Sequence, residues 1–269
     1  MAEVPSFVPQ RCTSADRVMW LTADRVFYAG LLGEPRQQVQ GAVVAYVAID
    51  GRLRVRLDGG EWQSTEVAVV QPYVPFEIAC EGRHVLGLLI EPETVDVARL
   101  PAPLRGCGAM QASGFADRVR DAHRRLASTG DPTDLRPSDF DPAFFGEPLP
   151  SRRIDRRIST VLEDLRNNPS GAFAAADCAS QVSLSFSRFL HLFKAEVGIP
   201  FRNLRTWKRA RSLLHHVHTS DNLVHLALDI GYPDSTHFSH SIRQVYGLKP
   251  RDIIAGSRKL RIIASVPRH

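Results

Sequence analysis

Residues 227–248 read Ala227-Leu228-Asp229-Ile230-Gly231-Tyr232-Pro233-Asp234-Ser235-Thr236-His237-Phe238-Ser239-His240-Ser241-Ile242-Arg243-Gln244-Val245-Tyr246-Gly247-Leu248. The same pattern occurs earlier, as Ala179, Ser183, Ser185, Phe189, Phe193, Lys194, Gly198 and Ile199. Each copy reads as a short helix, a tight turn and a capped second helix. The small Ala lets helices approach closely, and four residues later Ser183 or Gly231 redirects the chain. Ser185 and Asp234 then offer a side-chain oxygen to an orphaned backbone N–H at the start of the next helix. Phe189, Leu192 and Phe193, like Phe238 and Ile242, fall three or four apart and form a buried stripe. The opposite faces carry Ser187, Arg188, His191 and Lys194 in one helix and Thr236, His237, His240 and Arg243 in the other, side chains able to reach bases and phosphates.

Charge is divided between the halves. Residues 1–150 hold 15 basic and 20 acidic side chains, and residues 151–269 hold 19 and 9, for net charges of −5 and +10. All four Lys lie in the second half. Clustered cations beside an acidic domain point to a polyanion partner for the basic half alone.

On these residues the chain resembles the AraC/XylS family of bacterial transcription regulators, over about Ile154 to Ile254. Ser185-Phe186-Ser187-Arg188-Phe189-Leu190-His191-Leu192-Phe193-Lys194 is similar to the family's first recognition helix. Ala227-x-x-x-Gly231-Tyr232, Phe238 and Gly247-Leu248-Lys249-Pro250 resemble its second unit. Three departures from the family pattern stand out. Ile242 replaces the usual Phe, Ile253 and Ile254 stand near where an aromatic and an Arg usually follow the Pro, and Thr206 stands where Arg is common. The first two keep apolar volume; the third removes a phosphate or helix contact. The resemblance implies a DNA-reading set of Ser185, Phe186, Ser187, Arg188, His191 and Lys194, with Ser235, Thr236, His237, Ser239, His240 and Arg243. It also implies promoter DNA and RNA polymerase as partners, a homodimer, and a bacterial cytoplasmic location.

Leu204, Trp207, Ala210 (or Arg211), Leu214 and Val217 recur every three or four residues, predicting one connecting helix over about 201–216 that joins the two units rigidly. Ile154, Ile158, Val161, Leu162 and Leu165 predict another, stopped by Asn167-Asn168-Pro169. Its Arg152, Arg153, Arg156 and Arg157 are either a solvated face or phosphate contacts.

The first half is built differently. From Val18 to Glu91, short apolar runs are broken by Asp50-Gly51, Asp58-Gly59-Gly60, Pro72, Pro75 and Glu81-Gly82, which predicts an antiparallel sandwich or barrel. Arg52-Leu53-Arg54-Val55-Arg56-Leu57 alternates strictly, with three Arg on one face, read as a solvated outer face in preference to a site for an acidic ligand or partner. Within the resemblance this half is a cupin-like sensory domain. Its only histidines are His84 and His123, and Phe76 stands where a metal-binding cupin often has His, so neither metal nor cofactor is expected, nor catalysis. A pocket for a small effector remains open, with Trp20, Tyr46, Trp62 and Phe76 as candidate lining and ordinary core as their alternative. Phe115, Val119, Ala122 and Leu126 form the seam of a helix over 113–128, read as a dimer contact or as packing on the barrel.

The expected class is therefore α+β in two domains. A cupin-like β domain at 1–95 is followed by a helical segment at 96–128 and a linker at 129–150 containing five Pro, then an all-α tandem helix-turn-helix at 151–256 and a basic tail at 257–269. No apolar run approaches the ~18 residues of a membrane span, so no membrane partner is expected. No signal peptide is read at the N-terminus. Cys12, Cys80, Cys107 and Cys178 are scattered, indicating neither zinc ribbon nor disulfide framework. His215, His216, His218 and His225 cluster without a carboxylate or Cys at ligand spacing, and read as structural. Sequence-specific regulation is the favoured function. The alternatives are a nonspecific architectural DNA-binding protein and a cupin-type binder or enzyme carrying a DNA-binding module.

Overall fold

Val43-Val44-Ala45-Tyr46-Val47-Ala48 carries one polar atom among six side chains, and in the computed structural model it is a strand buried on both faces. The structure describes residues 17–128, 135–171, 173–217, 223–257 and 260–264. The strands are β1 (Val18–Leu21), β2 (Arg25–Leu31), β3 (Val43–Ala48), β4 (Leu53–Leu57), β5 (Gln63–Thr65), β6 (Val67–Val70), β7 (Phe76–Cys80), β8 (His84–Ile90), β9 (Gly108–Met110) and β10 (Arg261–Ala264). They form a seven-stranded sheet of order β10-β1-β2-β8-β3-β6-β9 and a three-stranded sheet of order β5-β4-β7. All pairs are antiparallel except β10 with β1, which run parallel with Val18 opposite Arg261.

The two-residue period of a strand decides what each face of the large sheet meets. Val44, Tyr46 and Ala48 share a core with Leu53, Val55, Phe76 and Ile78 of the small sheet, as in a sandwich. Val43, Ala45 and Val47 point the other way, into a second core closed by helices α1 (Ala102–Arg105), α2 (Ser113–Ser128) and α3 (Phe140–Phe145). On β4 the alternation holds: Leu53 and Val55 are buried and Arg54 is exposed.

The structure corrects two sequence readings. The seam of Phe115, Val119, Ala122 and Leu126 is turned inward: Val119, Ala122 and Leu126 are buried in the second core, and Phe115 stacks on Phe145 with centroids 6.2 Å apart. Packed on its own sheet, the seam leaves only the half-buried Phe115 with accessible surface. Part of the expected linker is also folded. Residues 129–134 lie outside the described residues, but Phe140, Phe144 and Phe145 recur at helical spacing and bury against Trp20 and Phe27. The Pro content marked a loop; the aromatic period, which it masked, made a helix.

The helical half runs α4 (Arg156–Asn167), α5 (Ala175–Gln181), α6 (Phe186–Val197), α7 (Phe201–His216), α8 (Leu223–Asp229), α9 (Ser235–Tyr246) and α10 (Pro250–Ser257). Its core is continuous with that between the sheets. Beyond it, part of the basic tail becomes β10 and returns to the edge of the large sheet, covering backbone groups an exposed edge would leave unpaired. Among the described residues no helix is long and apolar enough to cross a membrane.

Candidate nucleic-acid interface

The two helix-turn-helix units, α5–α6 and α8–α9, repeat each other bond for bond at their turns. Leu184 N–H donates to Ala179 O at 2.9 Å, and Tyr232 N–H to Ala227 O at 2.8 Å. The redirecting residues both lie in the left-handed region, Ser183 at φ +55° and Gly231 at φ +79°. Glycine reaches that region without a Cβ clash, whereas Ser183 holds it under strain. Gly231 is further constrained, since a Cβ there would lie 2.6 Å from Ser170 O.

Caps fix where each second helix begins. Ser185 Oγ accepts from Arg188 N–H at 3.4 Å, and Asp234 Oδ1 accepts from Thr236 and His237 N–H, both at 2.8 Å. The His237 backbone and ring bonds, reinforced by Thr236 N–H, hold the Asp234 carboxyl below the usual carboxylate range. At the far ends Gly198 and Gly247, at φ +86° and +69°, donate to Lys194 O and Arg243 O at 2.9 Å and stop the helices. Phe189 and Phe193 meet Phe201 edge-on at 5.3 and 5.2 Å, while Phe238 meets Tyr232 at 5.4 Å. Full burial of each Phe is worth roughly 1.5–3 kcal/mol, which anchors the opposite face outward.

That outward face carries the residues read from the sequence. Phe186, Ser187, Arg188, His191 and Lys194 are exposed on α6; Thr236, His237 and His240 are exposed on α9, with Ser235, Ser239 and Arg243 half-buried. Ser185 is the cap of α6. Both helices direct an N-terminus with polar neighbours to solvent, an arrangement that suits phosphate and base-edge contacts. Of the α4 cations, Arg157 is paired bidentately with Asp155 (Nε–Oδ1 3.0 Å, Nη2–Oδ2 2.8 Å), which lowers the Asp155 carboxyl to about 2. Arg153 and Arg156 are exposed.

The sequence reading missed the other side of α7. Three of its residues insert into the β half. Lys208 Nζ lies 3.0 Å from Glu91 Oε2 and also pairs with Glu93; Arg211 Nε lies 2.8 Å from Glu91 Oε1; Trp207 Nε1–H donates to Glu91 Oε2 at 2.9 Å. Arg211 also donates to the carbonyls of Thr22 and Arg25 at 2.7 and 3.3 Å. All four ionic groups are buried. Burial raises the Glu93 pKa despite Lys208, whereas for Lys208 burial is outweighed by Glu91 and Glu93 and its pKa rises. The available signal was Lys208 and Arg211 three apart on the apolar face of a helix, with Glu91 and Glu93 ending an apolar strand. The C-terminal end of α9 docks as well: Val39 N–H donates to Gln244 O at 3.0 Å.

A cavity of about 180 Å³ lies between the halves. Tyr46 lines it, with Met19, Val26 and Leu89 on the sheet side and Leu214, Tyr246 and Leu248 on the helical side. The other residues considered for an effector lie elsewhere. Trp20 is in the second core against Phe140, Trp62 sits under the guanidinium groups of Arg54 and Arg56 (5.6 and 4.9 Å), and Phe76 is in the sandwich core 5.8 Å from Tyr46. Burial, with Arg211 and His216 nearby, lowers the pKa of His215 to about 4. His218 lies outside the described residues. Among the described residues no three His, Cys, Asp or Glu are grouped to hold a metal.

Tandem helix-turn-helix units with a sheet-rich partner define the class as a helix-turn-helix module joined to a β domain. Residues 178–255 match the family described as Helix-turn-helix domain. The invasion protein InvF of Salmonella typhi is 34% identical over 71 residues, covering 26% of this chain and 33% of InvF. The HTH-type transcriptional activator RhaS of Escherichia fergusonii is 30% identical over 105 residues, covering 38% of this chain and 37% of RhaS. The chain thus spans about a third of the length of these curated relatives. An apo ToxT variant from Vibrio cholerae has a similar fold over 87% of this chain and 97% of its own, with TM-score 0.53 and 10% identity. A ToxT structure described as bound to unsaturated fatty acid covers 87% of this chain and 95% of its own, with TM-score 0.50 and 10% identity. Residues 178–255 are thus similar to the helix-turn-helix domain family and to the matching parts of InvF and RhaS, and the whole chain has a fold similar to that of ToxT.

Proposed function

We propose that this chain is a sequence-specific regulator of transcription that reads promoter DNA through α6 and α9 and acts without catalysis. The observation that carries the reading is the pair of equivalently capped, outward-facing helices joined by one continuous helix, α7. An architectural protein needs basic surface but no such pair. Arg188, His191, His237 and His240 contact base edges, while Lys194, Arg153 and Arg156 supply phosphate contacts. The β half senses an effector, by analogy with the ligand-bound ToxT structure, and the protein works in the bacterial cytoplasm beside RNA polymerase. Any homodimer forms through a surface other than the inward seam of α2.

The test is binding to a site selected from random DNA. Arg188→Ala loses about 1–3 kcal/mol on that site and far less on random duplex. The helices enter successive major grooves about 10 base pairs apart on one face, so a five-base-pair insertion between half-elements abolishes binding by one chain. Equal losses on both DNAs, or binding that survives the insertion, refute base reading by a rigid pair.

A further inference from the structure

The cavity between the two halves has one polar corner, and its chemistry is specific. Gln40 is 4% exposed and lines the cavity; its Nε2 donates to Gln38 Oε1 at 3.4 Å and to Tyr46 Oη at 3.2 Å. Its Oε1 is buried without a hydrogen-bond partner. Buried acceptors are seldom left unmade, so this one marks where a donor belongs. Tyr46 Oη accepts from Gln40 and makes no further hydrogen bond among the described residues, which leaves its proton to donate. Burial raises the pKa of this phenol, so it stays protonated at neutral pH. One acceptor beside one donor matches a single hydroxyl group.

The rest of the wall is uncharged apart from the carboxylate of Asp252, and apolar apart from Gln38 and the hydroxyls of Tyr28 and Tyr246, which donate to the carbonyls of Leu31 and Ala210. Among the described residues no Lys, Arg or His lines the cavity. A carboxylate ligand would thus be desolvated without a cation and would meet Asp252. The volume, about 180 Å³, suits a single ring, since a cavity of about 150 Å³ holds benzene.

We infer that the cavity between the β half and the helical half is an effector site for a small uncharged molecule with an apolar body and one hydroxyl, of the phenol or short-alcohol class. The hydroxyl donates to Gln40 Oε1 and accepts from Tyr46 O–H. The inference rests on the proposed effector response and deepens it. Because Leu214, Tyr246 and Leu248 close the cavity opposite Met19, Val26 and Leu89, the bound molecule touches both halves and favours the docked arrangement.

The experiment uses the full chain without DNA, titrated by calorimetry with p-cresol, toluene and p-toluate. p-Cresol binds at least tenfold more tightly than either of the others. Gln40→Met erases the advantage over toluene, and Gly87→Ile, which fills the cavity between Tyr28 and Tyr46, removes binding of both. Exchange of the Val39 amide, which bridges the halves, slows about elevenfold at ten times the Kd. Equal binding of toluene and p-cresol overturns the hydroxyl assignment, tighter binding of p-toluate overturns the uncharged class, and an unchanged Val39 rate overturns the link to docking. Should Gly87→Ile fail to fold, the comparison in Gln40→Met decides alone. Since no DNA is present, failure here leaves the regulator reading standing. Conversely, p-cresol binding by a chain that selects no DNA sequence refutes that reading and spares the site.

Discussion

Glu91→Gln keeps the shape of the side chain at the centre of the interface and removes its charge. Glu91 is 1% exposed and faces Lys208 Nζ at 3.0 Å, Arg211 Nε at 2.8 Å and Trp207 Nε1 at 2.9 Å. Removing one partner of a buried pair costs about 3–5 kcal/mol, because the surviving charge stays buried. The lower end applies here, since Lys208 keeps Glu93 and Arg211 keeps the carbonyls of Thr22 and Arg25. About 3 kcal/mol is a factor of roughly 150 in the docking equilibrium. The assay is amide hydrogen exchange at Val39, whose N–H donates to Gln244 O across the interface. Its exchange accelerates by about two orders of magnitude, while Val44 and Val69, paired inside the large sheet with Val70 and Ala45, keep their protection. A double-mutant cycle with Lys208→Met gives a coupling energy above about 1 kcal/mol. A Val39 rate within threefold of the parent protein would show that this network does not hold the halves together.

The remaining predictions concern the turns, acid and the α2 seam. Ser183 and Gly231 occupy equivalent positive-φ positions, yet exchanging their residue types has opposite effects: Ser183→Gly is neutral to about 1 kcal/mol stabilising, and Gly231→Ser costs about 2 kcal/mol or more, because its Cβ meets Ser170 O. Urea midpoints check both, and equal signs refute the strain argument. The ring of His215 has a folded-state pKa of about 4 against 6.5 unfolded, so the unfolded chain takes up a proton that the native state refuses. Stability therefore falls as pH drops from about 6.5 to 4, by at most about 3 kcal/mol and by less where solvent reaches this half-buried ring. Glu93, with its raised pKa, works in the opposite sense, so the difference between parent and His215→Gln isolates the histidine; identical pH profiles refute it. Val119→Asp with Leu126→Asp places two unpaired carboxyls in the second core and yields an unfolded or aggregating chain. A double mutant that melts normally and sediments at half the parent mass would instead restore the dimer seam.

Local chemistry made much of this legible in the sequence. Caps, turn positions and Phe spacing depend on residues within one or two turns, and Ser185, Asp234, Ser183 and Gly231 occupy the roles their types suggest. The Arg comb of β4 followed from alternation alone. What stayed hidden depends on which surface meets which. A seam of Phe115, Val119 and Leu126 has the same period whether it packs on a sheet or on a second helix, so its partner is decided by the apolar face of β2, β3 and β8. Trp20 and Tyr46 are equally plausible pocket aromatics in a list of residues. Their opposite fates follow from strand parity, which sends Tyr46 toward the cavity and Trp20 toward α3. Lys208 and Glu91 are 117 positions apart, and nothing local announces that a cation on an apolar helix face has its carboxylate in another domain.

The elements the β half grips determine what it is able to control. It holds α7 through Trp207, Lys208 and Arg211, and it holds the last turn of α9 and the residues after it through Gln244 and Leu248, which contact Val39 and the Gly33 backbone. The exposed first turns of α6 and α9 stay free of it. The separation of α6 and α9 is set by α7 and by how α9 packs on it, so the β half touches the two parts that fix this geometry and none of the residues proposed to read bases. A signal at the cavity, whose walls include Leu214 of α7 and Tyr246 of α9, acts on the same pair. It changes DNA affinity only to the extent that it favours one arrangement over another. A shift from one per cent to ninety-nine per cent docked requires about 5.5 kcal/mol of differential binding. A ligand held by one hydroxyl and a single ring supplies part of that, and the buried Glu91–Lys208–Arg211 network supplies the bias on which it acts.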